Sequence, residues 1–473
     1  MNNIRSVKAR GAQSWSSALR PALGLSVNIV QITPGAGAMY CGNCLRDNAL
    51  VAALRKMGHQ VVMVPLYLPL TLDEEDQSAG TPIFFSGLNV YLEQKSAFFR
   101  AAPGWFHDLL AARSLLKWAA GKAAKTRASD LGELTLSMLR GEAGHQAREL
   151  DELIAWLKTQ PTPEVICLSN ALLLGLARRL KRELGAPVVC MLQGEDIFLD
   201  ALPETHRAVC WETLAERAAE VDLLAAPSRY FGNLMSQRLG LGPGRVRVIY
   251  HGINLMGYND KCRVASDEGE DAGRQAPSTS HSPPVLGYFA RMCRDKGLDT
   301  LVEAYLLLRQ QDRLKGLKLR VGGGCGPADE PFVETLRERL RANGLVDDVE
   351  FCPSLGRAKK VAFLRSLSVF SVPAAYGEDF GLSVIEALAA GVPVVQPRRG
   401  PFPELIEATG GGVLYEPKDA QALAQALEGL LLQPERARAL GEAGQRVVFE
   451  KFSAEAMARE MVSLFQGVHA QIR

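Results

Sequence analysis

Several features that would assign the sequence to a class at once are missing from it. It contains no run of about eighteen apolar residues, the length that a membrane-spanning helix needs. Residues 1–25 are basic but have no continuous apolar core of the kind found in signal peptides. Lys and Arg together (54) nearly equal Asp and Glu (52), so no overall charge would attract nucleic acid or an anionic membrane. We therefore expect a cytoplasmic protein that does not bind nucleic acid.

Cysteine is sparse as well. The nine cysteines are spread over 473 residues, and several stand inside apolar runs, as Cys167 and Cys190 do. This placement is typical of buried thiols in a reducing compartment and argues against disulfides. Cys41 and Cys44 differ, because a CxxC spacing could form a redox pair or half of a metal site. No second CxxC and no Cys/His pair at zinc spacing follows, so local packing is the simpler interpretation.

The sequence does contain enough apolar material for large cores. Its composition, 47% hydrophobic and 22% charged, is typical of a globular protein, and 473 residues predict two domains. Short β-branched runs alternate with stretches of helical periodicity, which predicts βαβ units and parallel sheets. The predicted strands are Val27–Thr33, Gln60–Tyr67, Glu164–Ser169, Pro187–Gln193, Asp222–Ser228, Val246–Tyr250, Val285–Ala290, Leu317–Val321, Val349–Cys352, Val369–Pro373, Pro393–Gln396 and Val413–Tyr415.

The alternation divides the chain into five parts. In order, we expect a loose extension, a first α/β domain, a polar linker, a second α/β domain and a closing amphipathic helix, at residues 1–25, 26–255, 256–283, 284–450 and 451–473. Ser453 is the predicted N-cap of that last helix.

Residues 73–158 depart from the alternation and predict a helical insertion in the first domain. Within it, residues 105–125 combine Trp, Leu and Lys as an interfacial helix would. Two interpretations stay open, namely packing on the first sheet and peripheral contact with the inner face of the membrane. In either case we expect the insertion to line the acceptor side of a cleft.

The most informative motif spans Glu378 to Glu386. A strand ends at Pro373, a loop carries Glu378, a helix starts near Gly381, and Glu386 lies within that helix. The backbone N–H groups of Phe380, Gly381, Leu382 and Ser383 at such a helix start can hold phosphate oxygens. Glu386 can accept hydrogen bonds from a ribose diol, while Glu378 faces the group beyond the phosphates. The competing interpretation is a surface loop with two solvated glutamates.

Two further segments predict contacts to phosphate. Arg291 follows a strand of the second domain, and Lys296 comes five residues later, before the next helix; both would lie beyond the carboxyl ends of strands, where ligands of open α/β sheets bind. In the first domain, Gly35 and Gly37 form a turn after the first strand that lets backbone amides approach a phosphate. That turn lacks the third glycine of a dinucleotide fingerprint. The Gly-rich run at 322–326 is a weaker candidate.

Together with Gly400–Glu404 and the closing helix, these motifs resemble the retaining GT-B glycosyltransferases of family 4. The resemblance covers about residues 27–465 and is most specific between Val285 and Glu404. It implies two facing Rossmann-like domains, with a nucleotide-sugar donor held mainly by the second and a glycan, lipid-linked or small-molecule acceptor by the first. It also implies that no metal ion or other cofactor is needed.

The resemblance assigns roles to individual residues. Arg291 and Lys296 would bind the donor diphosphate, Glu386 the ribose, and the amides around Phe380, Gly381 and Leu382 the phosphates. Glu378 would contact the transferred sugar, and Gly35 and Gly37 would close on the diphosphate from the first domain. Transfer would proceed with retention of configuration, by front-face attack in which the leaving phosphate helps to deprotonate the acceptor.

Three positions depart from the family pattern. Gln193, which the resemblance places among the catalytic residues with Glu378, Arg291 and Lys296, stands where many members have His; it can hydrogen-bond a sugar hydroxyl but cannot titrate near neutral pH. Its neighbours Glu195 and Asp196 could substitute or could simply begin a helix. Asp379 replaces a usual Gly, and His251 a usual Asn. The Gln193 change keeps open a second hypothesis, a nucleotide-sugar-binding scaffold that has lost turnover. The CxxC supports a third hypothesis, a redox protein. Epimerases and phosphorylases of the same fold are a further alternative, but they typically need residues other than the pair Glu378 and Glu386.

Overall fold

The computed structural model describes residues 26–35, 42–85, 128–258, 283–374, 376 and 378–472. Within them, two parallel sheets of six strands each carry helices between successive strands. The strands are β1 (Asn28–Thr33), β2 (Gln60–Pro65), β3 (Val165–Leu168), β4 (Val188–Met191), β5 (Leu223–Ala226), β6 (Val246–Val248), β7 (Val285–Phe289), β8 (Lys318–Gly323), β9 (Val349–Pro353), β10 (Val369–Phe370), β11 (Val394–Pro397) and β12 (Gly412–Tyr415).

Helices cover the sheets. Among the described residues they are α1 (Gly42–Lys56), α2 (Ala128–Arg140), α3 (Ala147–Leu157), α4 (Ala177–Leu184), α5 (Glu195–Asp200), α6 (Glu204–Ala218), α7 (Arg229–Arg238), α8 (Leu298–Gln311), α9 (Glu330–Ala342), α10 (Arg357–Arg365), α11 (Leu382–Ala389), α12 (Phe402–Thr409), α13 (Ala420–Leu431), α14 (Pro434–Lys451) and α15 (Ala454–Ile472).

The strand order of each sheet places a crevice at its carboxyl edge. The first sheet runs β2-β1-β3-β4-β5-β6 and the second β12-β11-β10-β7-β8-β9. Each order reverses beside the sheet's first strand, between β1 and β3 and between β7 and β10. Crossover connections leave opposite faces of the sheet at such a point, so the loops beyond the strands separate and leave room for a ligand.

The two-domain α/β prediction is confirmed, and each predicted strand overlaps an observed one. The largest difference is β10, which ends at Phe370 rather than Pro373. Beyond it, the Val372 N–H donates to the Gln396 side chain (3.4 Å) and Pro373 has no N–H to donate, so the ladder does not extend over the whole apolar run. Most of the predicted linker, and residues 105–125 with their proposed membrane contact, lie outside the described residues.

The chain crosses back to the first sheet at its end. Ile253 donates its N–H to Phe452 O (2.9 Å), and Ala454 donates to Ile253 O (2.9 Å). Ser453 Oγ accepts from Ala456 N at 3.1 Å, which confirms it as a capping residue of α15. The apolar face of α15 then packs in the same core as α1 and strands of the first sheet. The last helix therefore packs on the first domain, although it follows the second sheet in sequence.

Glu404 of α12 caps a helix that belongs to the other half of the molecule. Its carboxylate accepts from the backbone N–H groups of Arg229 (2.9 Å) and Tyr230 (3.2 Å), at the start of α7, and from the Tyr250 hydroxyl (2.9 Å). Glu404 is only 8% exposed. Burial and this carboxylate raise the pKa of Tyr250 to about 12. The negative charge satisfies two of the amides that a helix start leaves without partners.

Glu404→Ala should therefore weaken the junction between the two halves. We expect a loss of about 2 kcal/mol in the free energy of unfolding. This value is the upper end of the cost of removing an N-cap residue, and it lies within the range for a hydrogen bond to a charged group. The matched control is Glu407→Ala on the same helix, whose side chain is 79% exposed. Urea denaturation measures both, and equal stabilities would show that the cap contributes nothing.

Candidate functional site

The reversal point of the second sheet brings together the segments that follow β7 and β10. The first contains Arg291 and a 3-10 turn at Arg294–Lys296, and the second contains Glu378. Gly297, at φ 71°, ends the turn and begins α8. The sequence spacing predicts Lys296 just before a helix, and in the structure Lys296 lies two residues before the start of α8.

Lys296 and Glu378 form an ion pair at this point. Lys296 Nζ lies 2.6 Å from Glu378 Oε2, with the two side chains 27% and 16% exposed. Burial opposes the ammonium charge, but the Glu378 carboxylate outweighs it, so the pKa of Lys296 is raised. The lysine is thus cationic at neutral pH and aimed at the carboxylate predicted to meet the transferred group.

Arg291 has a different partner. Its guanidinium makes a forked bond to Asp329, with Nε to Oδ2 at 2.8 Å and Nη2 to Oδ1 at 3.1 Å. The hydrogen bond to Asp329 raises the pKa of Arg291. Its side chain remains 63% exposed. A planar fork held on one edge by a carboxylate still has N–H groups for an anion on the other edge.

Two helix starts face each other across the molecule. Gly381, at φ 100°, precedes α11, as predicted, and Phe380 before it is fully buried. A methyl group on Gly42, the first residue of α1, would lie 3.6 Å from Leu382 Cδ1, beside Ser383 in the first turn of α11. The positive ends of both helices therefore converge on one region, as an anion site requires.

The glycine turn of the first domain is described only in part. Gly35 has φ 75°, and a Cβ there would lie 1.9 Å from Leu68 O, so only glycine fits. Gly37 and Cys41 lie outside the described residues, while Cys44 is buried. The predictions for Gly37 and for a redox pair stay open.

Glu386 reaches both halves of the molecule through Lys360. Lys360 Nζ lies 2.8 Å from Glu386 Oε1 and 3.5 Å from Asp73 Oδ2. Burial opposes the charge on Lys360, yet the two carboxylates raise its pKa. Nearby, Arg357 binds Glu74 at 2.7 Å with both side chains largely buried. Residues 73 and 74 follow the first domain's β2, so these pairs connect the predicted ribose ligand to that domain.

A buried network that sequence reasoning missed lies on the side of the first sheet. It is centred on Arg46 of α1, whose side chain is 0% exposed. Arg46 donates to Asp47 Oδ1 (2.6 and 2.9 Å), Ser169 O (2.9 Å) and Gln193 Oε1 (2.5 Å), and contacts His251 Nε2 at 3.2 Å. The available signal was an Arg-Asp pair at the start of a helix after a glycine turn, with polar residues following three strands.

His251 does not replace the imidazole that Gln193 lacks. Burial, and then the neighbouring charge of Arg46, lower the pKa of His251 well below its usual range. Arg46 can only donate, so Nε2 accepts and the proton sits on Nδ1. His251 is therefore neutral and lies against the Phe380 ring, 5.2 Å between centroids.

Two acidic residues of this region have pKa values raised well above their ordinary range. Glu195 accepts from the N–H groups of Ala171 (2.7 Å) and Gln193 (2.8 Å) in the first turn of α5, beside Asp196. Burial raises the pKa of Glu195 to about 7, and burial followed by the charge of Glu378 raises that of Asp379 to about 7. Through its two hydrogen bonds, Glu195 positions the backbone at Ala171 and Gln193.

These two groups contribute a stability that falls as the pH rises. The unfolded chain loses these protons near the ordinary values, 4.5 for Glu and 3.8 for Asp, whereas the folded chain keeps them to about 7. In between, the folded state binds more protons at these two sites, so their contribution to the free energy of unfolding decreases with pH and levels off above 7, whereas His251, whose pKa is lowered from 6.5, contributes the opposite slope below pH 6.5. Denaturation curves from pH 4 to 8 measure it. Asp379→Asn should flatten the decrease. Glu204→Gln, whose side chain is 92% exposed, should not. Identical slopes in the wild-type protein and both variants would contradict the raised pKa of Asp379.

Other features of the described residues are less informative. An open hollow of about 500 Å³ lies beside α9, lined by Cys325, Pro353 and polar residues of the helix, and away from Lys296 and Glu378. In the described segments, no helix is long and apolar enough to cross a membrane. No group of three His, Cys, Asp or Glu there could hold a metal ion.

Comparison with known proteins identifies the architecture. Residues 270–447 match the family Glycosyl transferases group 1, and residues 133–256 match Glycosyltransferase Family 4. Sucrose-phosphate synthase from Thermosynechococcus elongatus superposes with a TM-score of 0.65 at 20% identity, over 94% of this chain and 100% of that one. HepE of Anabaena, solved with UDP, gives 0.61 at 15% identity, over 94% and 100%. The fold is GT-B.

Curated relatives cover less of the molecule. The D-inositol 3-phosphate glycosyltransferase of Streptomyces scabiei is 31% identical over 233 residues, 48% of this chain and 50% of the relative. That of Corynebacterium aurimucosum is 27% identical over 234 residues, 49% and 53%. The chain thus spans about half the length of the curated relatives it matches. In this GT-B chain, the Lys296 and Glu378 pair lies at the carboxyl edge of the second sheet, facing the first.

Proposed function

We propose that this protein is a retaining glycosyltransferase that moves a sugar from a nucleoside diphosphate sugar to an acceptor hydroxyl. The observation that carries the proposal is the Lys296–Glu378 pair, 2.6 Å apart at the reversal point of the second sheet, where the starts of α1 and α11 converge. A cation and two helix dipoles match a diphosphate, and a carboxylate beside them matches sugar hydroxyls.

The donor would lie along the carboxyl edge of the second sheet. Lys296 and the free edge of Arg291 would bind the diphosphate, with the amides of Phe380, Gly381, Leu382 and Ser383. The ribose would bind Glu386, and the glycine turn at Gly35 and Gly37 would close from the first domain. Because HepE was solved with UDP and with UDP-glucose, a UDP-sugar is the first donor to test.

The chemistry asked of these residues is charge stabilisation. The bond between the sugar C1 and the phosphate oxygen breaks, and its electron pair goes to the phosphate. The acceptor oxygen attacks C1 from the same face, and its proton passes to the leaving phosphate oxygen, so configuration is retained. Lys296 and the helix amides stabilise the developing charge where it forms. They occupy the role that a divalent cation fills elsewhere, and we propose that the reaction needs no metal.

The acceptor belongs to the first domain. The relatives' names point to small phosphorylated polyols or sugars, and the family resemblance adds glycans and lipid-linked sugars. The proposed peripheral membrane contact through residues 105–125 would serve a lipid-linked acceptor at the inner face of the membrane. Vesicle flotation of the full chain tests that contact.

Thermal-shift measurements on the full chain test the proposal. UDP, GDP, ADP and their common sugars are added with and without EDTA, since a ligand that binds only the folded state raises the melting temperature. We expect one nucleotide series to raise the melting temperature, with or without EDTA. At a ligand concentration of 100 times Kd, the added stability should be about 2.7 kcal/mol. No shift with any nucleotide would refute a donor site and favour the redox hypothesis. A shift without transfer to any acceptor would favour the scaffold.

A further inference from the structure

Gln193 follows β4 at the carboxyl edge of the first sheet, and its bond to Arg46 controls which atoms of its amide are available to a ligand. All five N–H groups of a guanidinium donate and none accepts. The atom of Gln193 that lies 2.5 Å from Arg46 Nη1 must therefore be the carbonyl oxygen Oε1. The amide is fixed in one orientation by chemistry, because the reversed orientation would place two donors against each other.

The remaining donors of Gln193 are left for a partner outside the network. Across the described residues, Nε2 of Gln193 has no hydrogen-bond acceptor. The side chain is half-buried, whereas Arg46 is buried completely. The amide therefore keeps its oxygen on Arg46 and leaves its N–H groups available to a ligand.

Arg46 is itself held without freedom to move. Its Nε and Nη2 donate to Asp47, Nη2 also reaches Ser169 O, and Nη1 is shared between Gln193 and His251. Ser169 Oγ donates to the other Asp47 oxygen. Asp47 neutralises the buried charge, and every N–H of Arg46 is used. With all of its donors satisfied, the Arg46 side chain is held rigidly, because moving it would leave a buried donor without a partner.

We propose that Arg46 is a positioning residue that holds Gln193 as a hydrogen-bond donor to an oxygen of the transferred sugar. This inference rests on the proposed function. Gln193 then recognises a sugar oxygen and takes no part in proton transfer, and Arg46 determines selectivity for the sugar without touching it. The nucleotide is bound elsewhere, at Lys296 and α11, so its affinity is independent of both residues.

Gln193→Glu and Arg46→Lys separate this role from simple packing. Gln193→Glu keeps an oxygen for Arg46 and removes the N–H donors. Arg46→Lys keeps the charge but loses the planar guanidinium, whose Nη1 holds Gln193 while Nε and Nη2 are held by Asp47. The control is Arg55→Lys on the same helix, where Arg55 donates to Val61 O at 2.7 Å and to Gln77.

Isothermal titration of the full chain with UDP, UDP-glucose, UDP-N-acetylglucosamine, GDP, GDP-mannose, ADP and ADP-glucose gives the ratio of nucleotide-sugar to nucleotide affinity. We expect Gln193→Glu and Arg46→Lys to lower this ratio about tenfold, the value of one hydrogen bond of about 1.4 kcal/mol, with nucleotide affinity retained. Arg55→Lys should leave it unchanged.

The outcomes are distinct. A wild-type protein that binds none of these ligands refutes the proposed function and this inference together. A wild-type protein that binds, with a ratio within about twofold in Gln193→Glu, refutes only this inference. Equal losses of nucleotide and nucleotide-sugar affinity in Arg46→Lys, or the same ratio change in Arg55→Lys, would show that Arg46 only supports the fold. If Arg46→Lys fails to fold, Gln193→Glu still decides the sugar contact, and Ser169→Ala, which removes the hydroxyl between Arg46 and Asp47, tests the positioning role by the same ratio. An unchanged ratio in Ser169→Ala would refute that role.

Discussion

Lys296→Ala is expected to lower kcat/KM for sugar transfer by about a hundredfold or more, the loss typical when a group that stabilises transition-state charge is removed. The physical reason is the position of Nζ, 2.6 Å from Glu378 and at the convergence of two helix starts. The leaving diphosphate would lose Lys296, the one lysine proposed to stabilise its charge. Transfer is measured as release of nucleoside diphosphate with saturating acceptor.

The substitution also leaves the Glu378 carboxylate, 16% exposed, without its cation. Local repulsion of the donor could therefore mimic loss of a direct contact. The double variant Lys296→Ala/Glu378→Gln removes that charge. Because Glu378 is itself proposed to contact the sugar, the readout is the affinity for the nucleoside diphosphate, and failure of the double variant to regain that affinity would assign the loss to the lysine itself. Lys315→Ala controls for lowering the net charge, since Lys315 is 78% exposed and pairs with Asp312. Wild-type turnover in Lys296→Ala would exclude this lysine from the site.

The fold could be predicted from the sequence because local signals agree with it. Parallel strands buried on both faces are short apolar runs, as in Val188–Met191, and the helices between them are long and periodic. The order of strands within a sheet carries no such signal. It depends on which crossovers pack together, and only the structure shows that β7 and β10 are neighbours.

The second-sheet part of the candidate site was predictable for the same reason. Lys296 and Glu378 follow strands, and residues after parallel strands meet at one edge. The sequence shows the adjacent Arg46 and Asp47 but not the rest of their network, since Ser169, Gln193 and His251 lie 123 to 205 positions from Arg46. The pairing of Arg291 with Asp329 was not predictable either, because a cation's partner is decided by side-chain geometry and not by spacing.

Gly297→Ala is expected to destabilise the protein by about 3–4 kcal/mol, from roughly 1 kcal/mol of backbone strain and the rest from overpacking. Gly297 has φ 71°, and a Cβ there would lie 2.0 Å from Pro373 O and 2.6 Å from Pro373 C. Those are backbone atoms, so no side-chain rotation relieves the contact. The segments after β7 and β10 would have to separate at the point where Lys296 meets Glu378.

Gly410→Ala isolates the strain from the contact. Gly410 has φ 62° in the same domain, but a Cβ there meets nothing within 4 Å. It should cost about 1 kcal/mol, the penalty for a left-handed residue other than glycine. Urea denaturation gives both stabilities, and nucleotide titration of the folded fraction should show weaker binding in Gly297→Ala alone. Equal costs in the two variants would mean that the loops move apart freely, and the Lys296–Glu378 geometry would then not be held by this close approach.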